Sequence, residues 1–172
     1  MKVALVSSVA VAIVSISAGC GSNQGGGDAR VMLSGQTYAV SSVNFTYEIG
    51  DDGYFRIEGD DAAHPEEDCL PGLSSGLALY GDLPSTITSL ADLFGKELPF
   101  EFTGDGDDAN VCFVGSNGLL GVETGTVRFG KVDGTKVEFS FSGNFTVYDG
   151  EGGQASSKVV ATGDGVARIA AN

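Results

Sequence analysis

Residues 135–148, with the sequence TKVEFSFSGNFTVY, carry the clearest structural signal of this chain. Apolar and polar side chains alternate along it, which predicts one long β-strand with a buried face and a solvated face. Gly143 falls in the buried phase, where a bulge or close packing is expected. The apolar set of the strand is Val137, Phe139, Phe141, Phe145 and Val147.

A second alternating segment precedes this strand and predicts a hairpin with it. Phe129 belongs to its apolar set, and Asp-Gly at 133–134 marks the turn. A two-residue loop would place the two apolar sets on opposite faces. A three-residue loop at 132–134, with Gly134 left-handed, pairs Phe129 with Val137 and keeps one apolar face, so we predict the longer loop.

The same pattern occurs earlier in the chain. Apolar residues alternate from Val43 to Ile49, and Phe55 and Ile57 continue the alternation after a turn. A three-residue loop at 51–53 again keeps both apolar sets on one face, so a second hairpin is predicted. Further strands are predicted at 36–40, 77–80, 99–102, 111–114 and 158–169.

One short helix is predicted around residues 89–95. Ser89 followed three residues later by Asp92 is typical of a helix start, and Gly95 is typical of a helix end. The predicted fold class is therefore mainly β, an antiparallel β-sandwich or barrel with this one short helix. The expected apolar stripe of the helix is Leu90, Leu93 and Phe94.

The first twenty residues have the form of an export signal. Lys2 precedes an apolar run at 3–16 that is too short for a membrane-spanning helix, and small residues precede Cys20. With Ser-Ala-Gly-Cys at 17–20, the segment resembles the lipobox signal of bacterial lipoproteins. The resemblance covers residues 1–20 and implies cleavage before Cys20, with lipid on its sulfur and on its new amino group. Ordinary secretion after a cut at the same bond is the alternative.

The resemblance divides the chain into three parts. These are a signal peptide at 1–19, a lipidated cysteine with a flexible Gly-rich tether at 20–30, and a single β-rich domain at 31–172. Gly21 after the cysteine favours the outer membrane in enterobacterial lipoproteins. Residues 125–169 also resemble the closing hairpins of uncharacterised β-rich envelope lipoproteins, which implies no activity. We expect an exported protein held at the bacterial cell envelope by a palmitate-type anchor.

Three cysteines in an exported chain leave two for pairing once Cys20 carries lipid. Cys69 and Cys112 then form one disulfide in an oxidising compartment. The alternative is a pair of buried free thiols.

The charge of the chain restricts its partners. It carries 23 Asp and Glu residues against nine Lys and Arg residues, a formal net charge of −14. Such a surface repels nucleic-acid phosphates and anionic headgroups, so nucleic acid is excluded as a partner. Bound cations, cationic partners or solubility alone are compatible with it.

The acidic turn at 104–110 is the candidate metal site. Asp105, Asp107 and Asp108 lie in one Gly-rich turn, and calcium prefers six to eight oxygen ligands from a loop of this kind. The EF-hand spacing is not met, because Ser116 stands where that motif requires Glu. The alternative is a solvated turn. We therefore expect no required cofactor, with calcium as the one candidate ion.

The chain has one histidine, His64, which we expect on an exposed loop. Residues 72–76 read Gly-Leu-Ser-Ser-Gly and match the letters of Gly-x-Ser-x-Gly. A predicted strand follows them in place of the helix that the hydrolase turn requires, so neither Ser74 nor Ser75 stands in a recognisable nucleophile setting for a Ser-His-Asp hydrolase. A histidine without neighbouring Cys or His residues also argues against a zinc site.

These observations favour a non-enzymatic, lipid-anchored cell-envelope protein with a binding or structural β-domain. Its partners would be the membrane, through the lipid, and an envelope protein or extracellular ligand. The first alternative is a calcium-dependent adhesion or ligand-binding module that uses the acidic turn. The second is an exported hydrolase.

Overall fold

The computed structural model describes residues 27–70, 73–100, 110–114, 119–148 and 154–170. Among these residues the chain forms eleven strands and one short 3₁₀ helix. The helix spans Leu90–Leu93, between β6 and β7. The strands are β1 (Gly27–Leu33), β2 (Gln36–Glu48), β3 (Tyr54–Asp61), β4 (Asp68–Leu70), β5 (Leu73–Ser74), β6 (Gly76–Asp82), β7 (Glu97–Phe100), β8 (Asn110–Cys112), β9 (Leu119–Val132), β10 (Lys136–Tyr148) and β11 (Gln154–Ile169).

Nine of the strands form one sheet, in the order β10-β11-β1-β2-β3-β6-β8-β9-β7, and β4 and β5 form a separate short hairpin. Strand β9 also pairs with β10, the first strand in this order. The sheet therefore curls, so that strands from its two ends become neighbours. The strand pairs are antiparallel, apart from a two-residue parallel contact between β11 and β2. The predicted mainly β, antiparallel fold is confirmed.

The curled sheet encloses one hydrophobic core. Buried and exposed residues alternate along β1 at every position, as a strand with one inward face requires. The ring of Phe129 meets that of Phe55 edge-on at a centroid distance of 5.3 Å and that of Phe45 at 5.8 Å. Such edge-on contacts add to the stabilisation from apolar burial. The fully buried aromatic residues are Phe45, Phe55, Phe100, Phe113, Phe129 and Phe145.

Strand β10 confirms the strand predicted at 135–148, and the five apolar residues of its predicted inward face are all buried. Gly143 lies directly opposite Gly125 of β9, and the ring of Phe100 packs over both. A Cβ atom built at Gly125 would lie 2.0 Å from that ring, and one at Gly143 would lie 2.9 Å from it. Close packing, one of the two predicted reasons for Gly143, is therefore confirmed. An irregularity in the β9–β10 pairing also lies one position further on, between Asn144 and Phe145.

The register of the β9–β10 hairpin differs from the prediction. Phe129 lies opposite Phe139, and Val132 lies opposite Val137, with an irregularity between the two pairs. The predicted pairing of Phe129 with Val137 is wrong because two residues of β9 face Glu138 alone, as in a β-bulge. A bulge changes the register and still returns the strand to its apolar face, so an argument from parity could not detect it.

The β2–β3 hairpin is also shifted. Tyr47 lies opposite Phe55, and the connection covers residues 49–53 instead of the predicted 51–53. The prediction is wrong because Ile49, counted there as an inward strand residue, lies beyond the end of β2 and is 37% exposed. The shift is even, so the apolar sets still share one face.

The helix is confirmed in position, as a short 3₁₀ segment. The Ser89 N–H donates to the Asp92 carboxylate at 2.9 Å, which is the expected start. Leu93 is fully buried, as predicted. Phe94 is 70% exposed, so its assignment to the apolar stripe is wrong: the helix ends at Leu93 and the next residue has a non-helical backbone.

Gly134, predicted to be left-handed, and Gly95, predicted to end the helix, both have a left-handed backbone. Gly134 has φ +87° in the β9–β10 turn, and Gly95 has φ +74° after the helix. Glycine adopts this conformation without a Cβ clash, so the predicted turn at Gly134 and the predicted helix end at Gly95 are both confirmed.

The domain begins earlier than predicted. Residues 27–30, assigned to the tether, belong to β1 and pair with β2 and β11. That assignment is wrong because the alternation of buried residues already begins at Ala29 and continues through Val31 and Leu33. The Gly-rich, polar residues just before Ala29 hid the start of this strand in the sequence. Residues 1–26, which contain the predicted signal peptide and the rest of the tether, lie outside the described residues.

Candidate functional site

Cys69 and Cys112 form the predicted disulfide, with their Cα atoms 5.9 Å apart. Cys69 lies in β4 and Cys112 ends β8, so the bridge fastens the connection between β3 and β6 to the main sheet. The two residues are 43 positions apart in sequence. Closing a loop of that length contributes about 4 kcal/mol in the chain-entropy model of disulfide stabilisation.

A buried polar cluster lies beside this bridge. The Ser75 Oγ lies 3.1 Å from Asp61 Oδ2 and 3.2 Å from the Cys112 carbonyl oxygen, and both are acceptors for its proton. The same Oγ accepts a hydrogen bond from the Val114 N–H at 3.1 Å. Ser75 and Asp61 are each 2% exposed. The cluster therefore connects the end of β3 to the end of β8 from within the fold.

The Asp61 carboxylate has three hydrogen-bond partners, as many as the Ser75 hydroxyl. Its carboxylate accepts hydrogen bonds from the Ala63 N–H at 2.9 Å and from Ser75, and its Oδ2 lies 3.3 Å from His64 Nδ1. Burial raises the pKa of Asp61, but the hydrogen bonds from Ala63, His64 and Ser75, with the charge of His64, outweigh burial. The pKa of Asp61 therefore lies below its usual value, and the group is a carboxylate at neutral pH.

The cluster has the residue types of a Ser-His-Asp triad without the geometry of one. In a triad the imidazole lies between serine and carboxylate and accepts the serine proton. Here Ser75 and His64 both contact Oδ2 of Asp61, so the carboxylate lies beside the serine. The hydroxyl of Ser75 is also buried away from any substrate. The arrangement is suited to holding the β3–β6 connection in place.

Sequence reasoning located His64 correctly on a loop but did not predict its contact with Asp61. The His64 side chain is 38% exposed and is held against Asp61. The one signal for Asp61 is parity, because it follows Phe55 and Ile57 on the inward positions of β3. The sequence could therefore have predicted an inward-facing acid at the end of this strand. It could not have predicted the contact with Ser75, which lies fourteen residues away.

A pocket of about 370 Å³ lies where β2, the 3₁₀ helix, the β9–β10 turn and the end of β11 meet. Tyr47, Leu90 and Ile169 form its apolar wall and pack against the core. Arg168 and Thr135 are its polar lining residues. No local sequence motif predicts this pocket, because its lining residues come from four separate segments of the chain.

The remaining predicted site residues, Cys20 and the acidic triplet Asp105, Asp107 and Asp108, lie outside the described residues. Within the part that the structure describes, no group of three His, Cys, Asp or Glu residues could hold a metal ion. In the same part, no helix is long and apolar enough to cross a membrane. Lipidation and calcium binding stay predictions.

Comparisons with protein-family models, with curated proteins and with solved structures find no match to this chain.

Proposed function

We propose that this chain is an exported bacterial lipoprotein, anchored through Cys20, whose β-domain does binding or structural work at the cell envelope without catalysis. The observation that carries the proposal is the Cys69–Cys112 disulfide downstream of a lipobox-like signal. Disulfides persist in oxidising compartments outside the cytosol, and the signal supplies the route there.

The start of β1 supports a role close to a membrane. Seven residue steps separate Cys20 from Gly27, the first residue of β1. A chain of that length spans at most about 25 Å when fully extended. A lipid on Cys20 would therefore keep the domain within that distance of the membrane surface.

The geometry of the buried cluster supports a role without catalysis. Ser75 is the serine that lies with His64 and an aspartate, and its hydroxyl is committed to Asp61, Cys112 and Val114 inside the fold. A carboxylate with a lowered pKa is a weak base, so Asp61 is poorly suited to activating Ser75.

The anchor is tested by expressing the chain with its own signal in a Gram-negative host that is supplied with radiolabelled palmitate. We expect label on the wild-type chain and none on Cys20→Ser, with Ser22→Ala as a matched control that keeps the label. Density separation of the membranes then tests the outer-membrane assignment. An unlabelled chain that is released into the periplasm or medium would establish plain secretion instead.

The absence of catalysis is tested separately with an activated ester such as p-nitrophenyl acetate. We expect no hydrolysis above that of the Ser75→Ala variant. Hydrolysis that disappears in both Ser75→Ala and His64→Ala would establish the hydrolase alternative.

A further inference from the structure

Tyr54 of β3 and Tyr80 of β6 form an aromatic pair on the outer face of the sheet. Their ring centroids are 5.8 Å apart and their planes meet at 23°, so the two rings are stacked. Both side chains are partly exposed, and they alternate with the buried residues Phe55 and Leu79. Every other ring pair among the described residues includes a fully buried phenylalanine. This pair therefore differs from them in presenting ring surface to solvent.

Two carboxylates flank Tyr54, one on each neighbouring strand. Glu48 of β2 and Asp82 of β6 lie directly opposite Tyr54, and both are exposed. Adjacent strands are about 4.8 Å apart, so the tyrosine lies midway between two acids whose backbones are about 10 Å apart. Among the residues that the structure describes, neither carboxylate has a hydrogen-bond or ion-pair partner. Their negative charge is therefore available to a ligand at Tyr54.

The basic residue of β3 does not compensate these charges. Arg56 lies opposite Tyr80, and its guanidinium contacts Glu58 Oε1 at 2.6 Å. The charges of Arg56 and Glu58 therefore cancel. The outer face at the two tyrosines keeps the charge of Glu48 and Asp82, and in a chain with a net charge of −14 such a face attracts cations.

The ring of Tyr54 discriminates among cations. The face of an aromatic ring carries negative partial charge and attracts a cation placed over it. An alkylammonium group spreads its charge over methyl or methylene groups, which pack on the ring while neighbouring carboxylates balance the charge. Stacking on Tyr80 holds the ring in place before a ligand arrives, so binding costs little side-chain entropy.

From these contacts we propose that the outer face at Tyr54 binds a small organic cation of the alkylammonium class. Its methyl or methylene groups would lie on the ring of Tyr54, which Tyr80 supports, and its charge would lie between Glu48 and Asp82. The inference gives the proposed binding domain a ligand class, so it rests on the binding part of the proposed function and does not depend on the lipid anchor.

The test uses two probes of the same shape that differ in charge, choline and 3,3-dimethylbutan-1-ol, in which carbon replaces the charged nitrogen. The full mature chain, in a non-ionic detergent, carries ¹³C-labelled tyrosine rings. Tyr38 and Tyr47 are stacked on buried phenylalanines and serve as internal controls. Potassium chloride at the concentration of choline controls for ionic strength. This readout is specific to the site, so partition of the alcohol into detergent does not imitate binding.

We expect choline to shift the ring signals of Tyr54 and Tyr80 in a saturable way. The alcohol should require about fivefold more probe, the upper range for one exposed charged contact. Glu48→Gln and Asp82→Asn should each weaken choline toward the alcohol. Asp164→Asn on β11 changes the net charge by the same amount as each of these variants, and β1 and β2 separate it from β3, so it should leave both probes unchanged.

The ring itself is tested by two substitutions of Tyr54, with the signal of Tyr80 as the readout. Tyr54→Phe keeps an aromatic face and should keep the preference for choline over the alcohol. Tyr54→Leu keeps an apolar side chain without that face and should lose most of the preference. A Leu variant that prefers choline as strongly as the Phe variant would show that the ring does not contribute, against the proposal.

The inference is overturned if neither probe shifts the Tyr54 ring, if choline and the alcohol bind equally, or if potassium chloride reproduces the shift. It is equally overturned if both charge variants keep the preference for choline, or if Asp164→Asn reduces it as much as they do. Shifts produced by a neutral methyl glycoside and not by choline would make a saccharide the occupant instead.

The lipid anchor is tested independently of this site. None of these results would affect palmitate labelling at Cys20. A chain that is not lipidated could in turn still bind choline, so failure of the anchor and failure of the cation site are distinguishable.

Discussion

The hydroxyl of Ser75 lies 3.1 Å from the carboxylate of Asp61, fourteen residues away in sequence, and both side chains are buried beside the Cys69–Cys112 bridge. Ser75 also accepts the Val114 N–H, so one side chain satisfies polar groups on two strands. This relationship explains how an acidic, loop-rich segment is held against a hydrophobic core.

Ser75→Ala is expected to lower the free energy of unfolding by about 1–3 kcal/mol. The substitution removes a hydroxyl from a buried site and leaves the Val114 N–H without that acceptor, and such losses cost about this much. Urea unfolding followed by circular dichroism measures the change. The matched control is Ser74→Ala, an exposed neighbour, which should change stability by less than about 0.5 kcal/mol. Equal effects of the two variants would contradict the assigned role of Ser75.

Replacing both Cys69 and Cys112 by serine is expected to lower the free energy of unfolding by about 4 kcal/mol in the chain-entropy model. The bridge closes a loop between residues 43 positions apart and so lowers the conformational entropy of the unfolded chain. Unfolding in urea with and without a thiol reductant measures the effect. Reductant should destabilise the wild-type chain and have no effect on the double variant. A wild-type chain insensitive to reductant would contradict the prediction.

Acid should destabilise the protein partly through Asp61. Its folded-state pKa lies below the usual value, so its contribution to stability is present above the unfolded-state pKa and is lost as pH falls through the folded-state pKa. The affected range is therefore from about pH 4 downward. Urea unfolding across that range should show a smaller loss of stability for Asp61→Asn than for wild type. The half-exposed neighbour Asp60→Asn is the control, and a slope that changes only in that variant would contradict the assignment.

Gly125→Ala is expected to destabilise the fold by about 1–3 kcal/mol or more, the usual cost of overpacking a core. A Cβ atom there would lie 2.0 Å from the ring of Phe100, which is fully buried and cannot move freely. Gly143→Ala, at 2.9 Å from the same ring, should cost less. Gly50→Ala is the matched control, because its Cβ would meet no atom within 4 Å. Thermal unfolding compares the three, and the order Gly50, Gly143, Gly125 is the expected ranking of destabilisation.

Calcium binding by the acidic turn remains a prediction from sequence. If Asp105, Asp107 and Asp108 bind calcium, the ion at 100 times its dissociation constant should raise stability by about 2.7 kcal/mol relative to chelator. Thermal unfolding in each condition measures this, and Asp105→Ala with Asp107→Ala should abolish the difference. Coincident transitions for the wild-type chain would leave the turn as a solvated loop.

The strands were predictable because their signal is local. The alternation from Val137 to Val147 and that from Val43 to Phe45 each marked an inward face that the structure confirms. The disulfide followed from counting cysteines in a chain that the sequence predicts to be exported. The register of both hairpins did not follow, because a bulge opposite Glu138 and a five-residue loop preserve the same alternation as the registers that were predicted.

Local signals along the chain were enough to predict the mainly β class, the inward face of each predicted hairpin, the position of the short helix and the pairing of Cys69 with Cys112. Each depends on spacing along the chain or on counting residues. Three relationships appear only in the folded chain: Phe100 covers the Gly125–Gly143 pair, Asp61 contacts Ser75, and Lys136 of β10 lies opposite Arg168 of β11. Those contacts arise when the sheet curls and brings distant strands together, and a local pattern carries no information about which strands become neighbours.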